Sequence, residues 1–408
     1  DVVVRYDFLV IGGGIIGLSV ARELKRRYRD CGVGLIEKEP ACALHASGRN
    51  SGVLHAGFYY TADSLKARFT RDGNRELTAY CEERALPINR CGKLVVAQNE
   101  ADLPALDELL RRGRANGVPL EAVTADEARR IEPRARTYAR ALYSPTTSSV
   151  DPVRVVEALA QDARAEGVTI HHGVRYRGAR PGQVVTSTGA MRAGYVVNAA
   201  GLYADQIARD YGFGRRYRIL PFKGLYLYSD EGPGAFRTHI YPVPDLRNPF
   251  LGVHFTLTVD GRVKIGPTAI PALWREQYRG PDNFRLGEFL DIAWRQMGLV
   301  ARSGFSFTRL AIEELSKASR ARMVARAAAL ADGVELAHYR RWGQPGIRAQ
   351  LADVEQRRLV MDFVCEGDAR SLHVLNAVSP GFTCSLPFAR YVCDLIDTNV
   401  TENSRGAA

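Results

Sequence analysis

Residues 6–37 read YDFLVIGGGIIGLSVARELKRRYRDCGVGLIE. A near-continuous apolar run centred on residues 8–11 enters Gly12-x-Gly14-x-x-Gly17, and Ile16, Val20 and Leu24 follow at helical spacing. A second short strand, 33–36, ends in Glu37, about 20 residues beyond the last glycine. This order predicts a dinucleotide-binding βαβ unit. Gly12 permits the tight turn, Gly14 lets backbone approach a pyrophosphate, and Gly17 lets helix meet strand. The pyrophosphate belongs at the helix N-terminus, where N–H groups and the macrodipole favour negative charge. Glu37 is placed to accept hydrogen bonds from a ribose, and its charge disfavours a 2′-phosphate. FAD or NAD is expected rather than NADP.

The rest of the chain repeats this chemistry at a distance. Helices are expected over 61–85, 102–117 and 125–131, with a strand over 92–97. Asp151 and Pro152 give an N-cap and first-turn signal for another helix. Residues 195–201 (YVVNAAG) form a second buried strand running into glycine, and 371–397 return to strand, turn and helix. Between them strands dominate, at 225–228, 240–243, 250–258 and 263–266, with a hairpin turn at Asp260-Gly261. Helices are expected over 286–301 and 308–331. The expected fold class is therefore α/β with an α+β second domain. A Rossmann-like FAD-binding domain is assembled from 1–85, 146–216 and 336–408. A substrate-binding domain with a mainly antiparallel sheet is inserted as 86–145 and 217–335. Such discontinuity favours FAD over NAD.

The 408 residues carry 56 Lys and Arg against 45 Asp and Glu, a net charge of +11. Only seven are lysines (25, 38, 66, 93, 223, 264, 317), so the excess is arginine. An acidic substrate or an anionic membrane surface fits that charge. A nucleic acid does not, since no recognised binding motif is present. No apolar run reaches the roughly 20 residues a membrane span requires. The helix over 308–331 places Arg309, Lys317, Arg320, Arg322 and Arg326 among Leu310, Ile312, Leu315, Met323 and Val324, a pattern suited to peripheral membrane contact. Seven cysteines without a C-x-x-C spacing read as free thiols in a reducing compartment, with no metal site.

Five strings bring a family into view: HASGRNSGVLHAGFYY (45–60), CGKLVVA (91–97), IYPVPDLRNPFLGVHFT (240–256), GIRAQ (346–350) and LHVLNAVSP (372–380). They resemble the L-2-hydroxyglutarate dehydrogenase/oxidase family of the FAD-dependent D-amino-acid-oxidase-like superfamily. The resemblance runs from Tyr6 to about residue 395. It implies bound FAD, oxidation of L-2-hydroxyglutarate to 2-oxoglutarate, and electron delivery to a quinone-type acceptor or oxygen. It also implies a bacterial cytoplasm or inner-membrane face, or a mitochondrion. Where the family string reads H-Q-T-G-H-N-S-G, this chain has His45-Ala46-Ser47-Gly48-Arg49-Asn50-Ser51-Gly52, so Arg49 replaces a histidine. Phe382 in the closing segment is bulkier than the family pattern.

Expected cofactor contacts are Gly12, Gly14, Ile15, Ile16, Gly17, Glu37 and Lys38 in the first unit, then His45, Ser47, Gly48, Arg49, Asn50, Ser51 and Gly52. Val174, Ala200 and Gly201 join them, with Gly346, Ile347 and Arg348, and Ser379, Pro380, Gly381, Phe382 and Thr383 at the last helix. Oxidising an α-hydroxy acid needs a base, carboxylate partners and hydroxyl donors. Histidine suits the base, because its unperturbed pKa lies near neutrality. His55 and His254 are the candidates, with Tyr60 as a third catalytic group. Arg348 and Lys223 are the expected carboxylate partners, Arg348 because its guanidinium pairs bidentately. Tyr59 and Tyr241 are the expected hydroxyl donors. His171, His172, His338 and His373 read as structural or peripheral. Two other readings stay open: a flavoprotein of the same fold acting on another small anion, such as glycerol-3-phosphate or an amino acid, and a non-catalytic flavin-binding protein.

Overall fold

The computed structural model describes residues 3–245, 252–302, 319–377 and 379–406. The chain divides into two compact units: Asp1–Asn50, Pro152–Leu220 and Ala349–Ala408 form unit 1, and Ser51–Asp151 with Pro221–Arg348 form unit 2. Residues 51–85, 146–151 and 336–348, grouped from sequence with the cofactor segments, therefore fall in unit 2, and 217–220 fall in unit 1. The local cause is a small sheet. Both Val53–Leu54 and Ile88–Asn89 pair with Ser148–Val150, which ties the intervening helix Leu65–Glu83 to unit 2.

Unit 1 is built on a parallel sheet. Arg5–Ile11 lies between Val33–Glu37 and Gly189–Asn198, with Thr169–His172 and Ser371–Asn376 outside them. The apolar run Phe8, Leu9, Val10 and Ile11 is buried on both faces, as a central parallel strand requires. Helices Ile15–Arg27, Pro152–Ala165 and Gly381–Gly406 pack together against it. Asp151 stands immediately before Pro152 at the start of its helix, as the sequence signal requires.

Unit 2 holds an antiparallel-rich sheet in the order Tyr339–Trp342, Leu227–Ser229, Val263–Gly266, His254–Leu257, His239–Pro242, Lys93–Val96, Arg140–Ser144, Glu121–Thr124. Side chains alternate between faces with period two. Leu94, Ile240, Phe255, Leu257, Val263, Ile265 and Leu227 share one apolar cluster, closed by Met323, Val324 and Ala327 of the helix Arg320–Ala328. That helix is the described remainder of the one expected over 308–331. Arg309, Leu310, Ile312, Leu315 and Lys317 lie outside the described residues, as do 250 and 251 of the strand expected over 250–258. Because Met323 and Val324 are buried under the sheet, the described stretch offers no apolar face to a bilayer. No helix among the described residues is long and apolar enough to cross a membrane.

One loop of unit 2 is held by side chains rather than by a ladder. Asn74 Nδ2 donates to the carbonyls of Leu54, His55 and Thr146 at 3.3, 3.0 and 3.0 Å. Asn116 Nδ2 donates to Gly57 and Tyr60 at 2.8 and 2.9 Å, and Arg112 donates to Tyr59 at 2.7 Å. Phe58 anchors the loop among Val95, Leu106 and Leu109. Asn74→Ala should therefore lower stability by about 1–3 kcal/mol, since it strips buried carbonyls of their donor. Urea unfolding measures this; an unchanged midpoint contradicts the bracing role.

Candidate active site

In unit 1 the first strand ends at Gly12, whose φ of 110° only glycine adopts without strain. A Cβ there would lie 2.3 Å from the Ala199 carbonyl oxygen, and one at Gly17 would lie 1.9 Å from the Gly12 oxygen. Helix Ile15–Arg27 begins at Gly14 with no acidic residue in its first turn, so its positive end is open to an anion. Ser47 Oγ accepts from Ile15 N at 2.9 Å. Glu37 accepts from Gly13 N at 2.8 Å and from Glu39 N at 3.0 Å, which leaves lone pairs for ribose hydroxyls. Asn50 donates to the Ala46 and Ser47 carbonyls, and Arg49 to Leu44 at 2.7 Å. Val174 N donates to Glu37, and Ala200 N to the Asn198 side chain. Lys38 lies over the Tyr203 ring, and His45 lies 3.1 Å from Glu39. Gly381 opens the last helix, with Phe382 and Thr383 in its first turn. A glycine loop that tolerates no Cβ, against a helix end without acid, fits a dinucleotide.

In unit 2 the polar side chains expected from sequence meet others that the motifs did not reveal. The pairing Ile240↔Phe255 sets His239 beside Thr256 and Tyr241 beside His254. Lys93 faces His239, and Thr256 faces Lys264. One cross-strand row is thus Lys93–His239–Thr256–Lys264, and the next carries Val95, Tyr241, His254 and Gly266. The Tyr241 ring stacks on His254 with centroids 3.8 Å apart and planes 9° apart. Lys93 Nζ sits 4.3 Å from the Tyr241 centroid, 4.5 Å from Tyr59 and 5.0 Å from Phe58. Lys264 Nζ donates to the Ser51 carbonyl at 3.1 Å and lies 4.5 Å from the Tyr226 ring. Within the Ser51–Gly52 pair, Ser51 Oγ also accepts from Val53 N.

His239 has a fixed tautomer. Its Nδ1 accepts from Leu257 N at 3.0 Å, so Nε2 carries the hydrogen toward Cys91 Sγ and Ser149 Oγ at 3.2 and 3.3 Å. His254 Nδ1 lies 3.1 Å from Thr256 Oγ1. The tautomer that donates to Thr256 leaves a lone pair on Nε2.

Among the described residues no carboxylate pairs with Lys93 or Lys264, and burial alone pushes them down to about 7 and about 8. Burial, reinforced by Lys93, holds His55 and His239 at about 3 and His254 well below its ordinary value. Arg348 opens toward Tyr60 at the start of strand Gly346–Asp353, and burial lowers it to about 10. His55, Tyr59, Tyr60 and Arg348 keep some accessible surface, whereas Lys93 and His239 keep none.

Lys223 lies outside the polar rows, on the strand next to the one that carries Arg348. It lies half-buried on strand Tyr217–Gly224, opposite Ile270. His373 is a core residue between Asn198 and Ser371, and His338 pairs with Asp230 at the surface. His239, Tyr226 and Lys264 are not among the candidates named from sequence, and Lys93 lies inside the string CGKLVVA without being singled out there. Their signal is alternation: KLVV, HIYP, HFTL and VKIG each place polar groups on one face of a buried strand.

The family described as FAD dependent oxidoreductase matches residues 7–395. The chain belongs to that family. This FAD-dependent oxidoreductase is 34% identical over 410 residues to the L-2-hydroxyglutarate dehydrogenase of Escherichia coli (strain K12), covering 98% of this chain and 95% of the relative. It is 35% identical over 412 residues to the mitochondrial L-2-hydroxyglutarate dehydrogenase of Homo sapiens, covering 95% and 88%. Among solved structures, an L-alpha-glycerophosphate oxidase from Mycoplasma pneumoniae with FAD bound shares the fold at a TM-score of 0.76 and 21% identity, covering 96% of this chain and 95% of that one. FAD is the cofactor, and the glycine cradle of unit 1 fits it.

Two outcomes follow for this oxidoreductase. Gly12→Ala should purify with little bound FAD, read as the ratio of flavin to protein absorbance; full occupancy contradicts the steric argument. Because His55 and His239 titrate lower folded (about 3) than unfolded (about 6.5), the unfolded chain binds more protons between those values. Their share of stability is complete above that window and is lost as pH falls through it. The urea midpoint should drop from pH 7 to pH 5, with a shallower slope in His239→Gln. An equal slope in the variant removes His239 from the account.

Proposed function

We propose that this FAD-dependent oxidoreductase oxidises L-2-hydroxyglutarate to 2-oxoglutarate, with electrons passing on to a quinone-type acceptor or oxygen. The observation that carries the reading is the buried face of unit 2. It gathers lysines and imidazoles that, among the described residues, have no carboxylate to neutralise them, so it suits an anion with a proton to give up. The names of relatives at 34–36% identity over nearly the whole chain support the same substrate.

In this reading Arg348 pairs bidentately with the carboxylate beside the carbinol carbon. The C2 hydrogen departs as hydride while His55 or His254 takes the hydroxyl proton, and the carbonyl of 2-oxoglutarate forms. Bound FAD supplies the two-electron acceptor for that hydride at N5. Held neutral by burial and by Lys93, the imidazoles start with a lone pair available. Once protonated, the base stands near Lys93, whose charge favours release of the proton to solvent. Tyr59, Tyr60 and Tyr241 offer hydroxyls to substrate oxygens.

Anaerobic mixing with L-2-hydroxyglutarate should bleach the long-wavelength flavin band, whereas the D-enantiomer should not. With the substrate's ends fixed, inversion at C2 turns the departing hydrogen away. His55→Ala or His254→Ala should slow the bleaching by about 10²–10⁴, the range for a lost general base. Unchanged flavin with L-2-hydroxyglutarate ends the substrate assignment, and wild-type rates in both variants move the base elsewhere.

A further inference from the structure

A dicarboxylate needs a second cation besides Arg348, and the motif reading gave that place to Lys223. The structure places a different ammonium on the polar face. Lys93 is fully buried, and its Nζ has no hydrogen-bond partner among the described residues. Among the described residues no carboxylate compensates it. The hydroxyl of Tyr59, whose ring lies 4.5 Å from that nitrogen, is likewise buried without a partner. A buried ammonium normally keeps its charge only when paired, and a buried phenol normally finds a partner. Two orphaned polar tips in one cluster, one cationic and one a donor, describe an anion subsite.

We propose that Lys93, with the Tyr59 hydroxyl, receives the substrate carboxylate farthest from the carbinol carbon and so selects dicarboxylates over monocarboxylates. This rests on the substrate reading above. The division of labour follows from side-chain chemistry. The planar guanidinium of Arg348 fixes orientation at the reacting end. A lysine is a point charge on a flexible stem, which suits the end where only charge must be satisfied. Burial has already weakened the hold of Lys93 on its proton, and an arriving carboxylate restores it.

The test compares L-2-hydroxyglutarate with L-2-hydroxybutyrate, which lacks only the distal carboxylate, in the FAD-loaded wild type and Lys93→Met. The wild-type ratio of kcat/KM should favour the dicarboxylate, and Lys93→Met should lower that ratio about 100-fold, chiefly through KM. An equal loss on both substrates overturns the proposal and leaves Lys93 a packing residue. A wild type that L-2-hydroxyglutarate does not reduce refutes the substrate reading instead. In that case calorimetric titration with glutarate and butyrate still decides Lys93: a preference for glutarate that disappears in Lys93→Met supports the subsite, and a preference that survives overturns it. If Lys93→Met fails to retain FAD, Tyr59→Phe carries the test. It should lower the same ratio about tenfold, and an unchanged ratio overturns the proposal.

Discussion

The desolvation of two lysines and two histidines on one sheet face, Lys93, Lys264, His239 and His254, sets the electrostatics of unit 2. An ammonium removed from water without a counter-ion is strained electrostatically by several kcal/mol. The fold accommodates Lys93 by surrounding it with Phe58, Tyr59 and Tyr241, whose ring faces are electron-rich. The opposite face of the same strands is wholly apolar, and the helix Arg320–Ala328 closes it. Apolar burial on that side holds the sheet together while Lys93 Nζ on the polar side stays without a hydrogen-bond partner among the described residues. The imidazoles then remain neutral near neutral pH, because both low polarity and the neighbouring lysines oppose their protonation.

The two units meet negative charge by different means. Unit 1 uses no formal charge at the glycine loop. Backbone N–H groups at the start of helix Ile15–Arg27 present partial positive charge, and Gly12, Gly14 and Gly17 keep side chains out of the way. Such dipoles suit a cofactor that stays bound through many turnovers. Unit 2 instead carries formal charge on Lys93, Lys264 and Arg348, which burial deprives of water.

The loop bearing His55, Tyr59 and Tyr60 shows how a reactive segment is kept in place without strand pairing. Its carbonyls are gathered by Asn74, Asn116 and Arg112, each delivered by a helix of unit 2. Gly57 takes a φ of 102°, and a Cβ there would sit 3.1 Å from Arg71 N, so the turn between His55 and Tyr59 needs glycine. Side-chain amides are short and stiff, and they fix a backbone more tightly than a long charged side chain would.

The cofactor cradle was legible in the sequence because it is local. Strand, Gly12-x-Gly14-x-x-Gly17, helix and Glu37 lie within 37 residues, and steric rules alone assign each a place. His55, His254, Arg348 and the tyrosines were legible for another reason, since they stand in strings that resemble a known family. Lys93 stands in such a string too, CGKLVVA, and with His239 and Lys264 it was written in the alternation of its strand, but alternation does not say which face a core will cover. That choice came from register: Lys93 opposite His239, Ile240 opposite Phe255 and Thr256 opposite Lys264. Residues far apart in sequence share a row only when strands pair. Sequence by itself therefore determined the fold class, the cofactor and most of the side chains able to do chemistry. Only the tertiary structure decided which lysine is deprived of water, because desolvation depends on everything packed around a group and not on its neighbours along the chain.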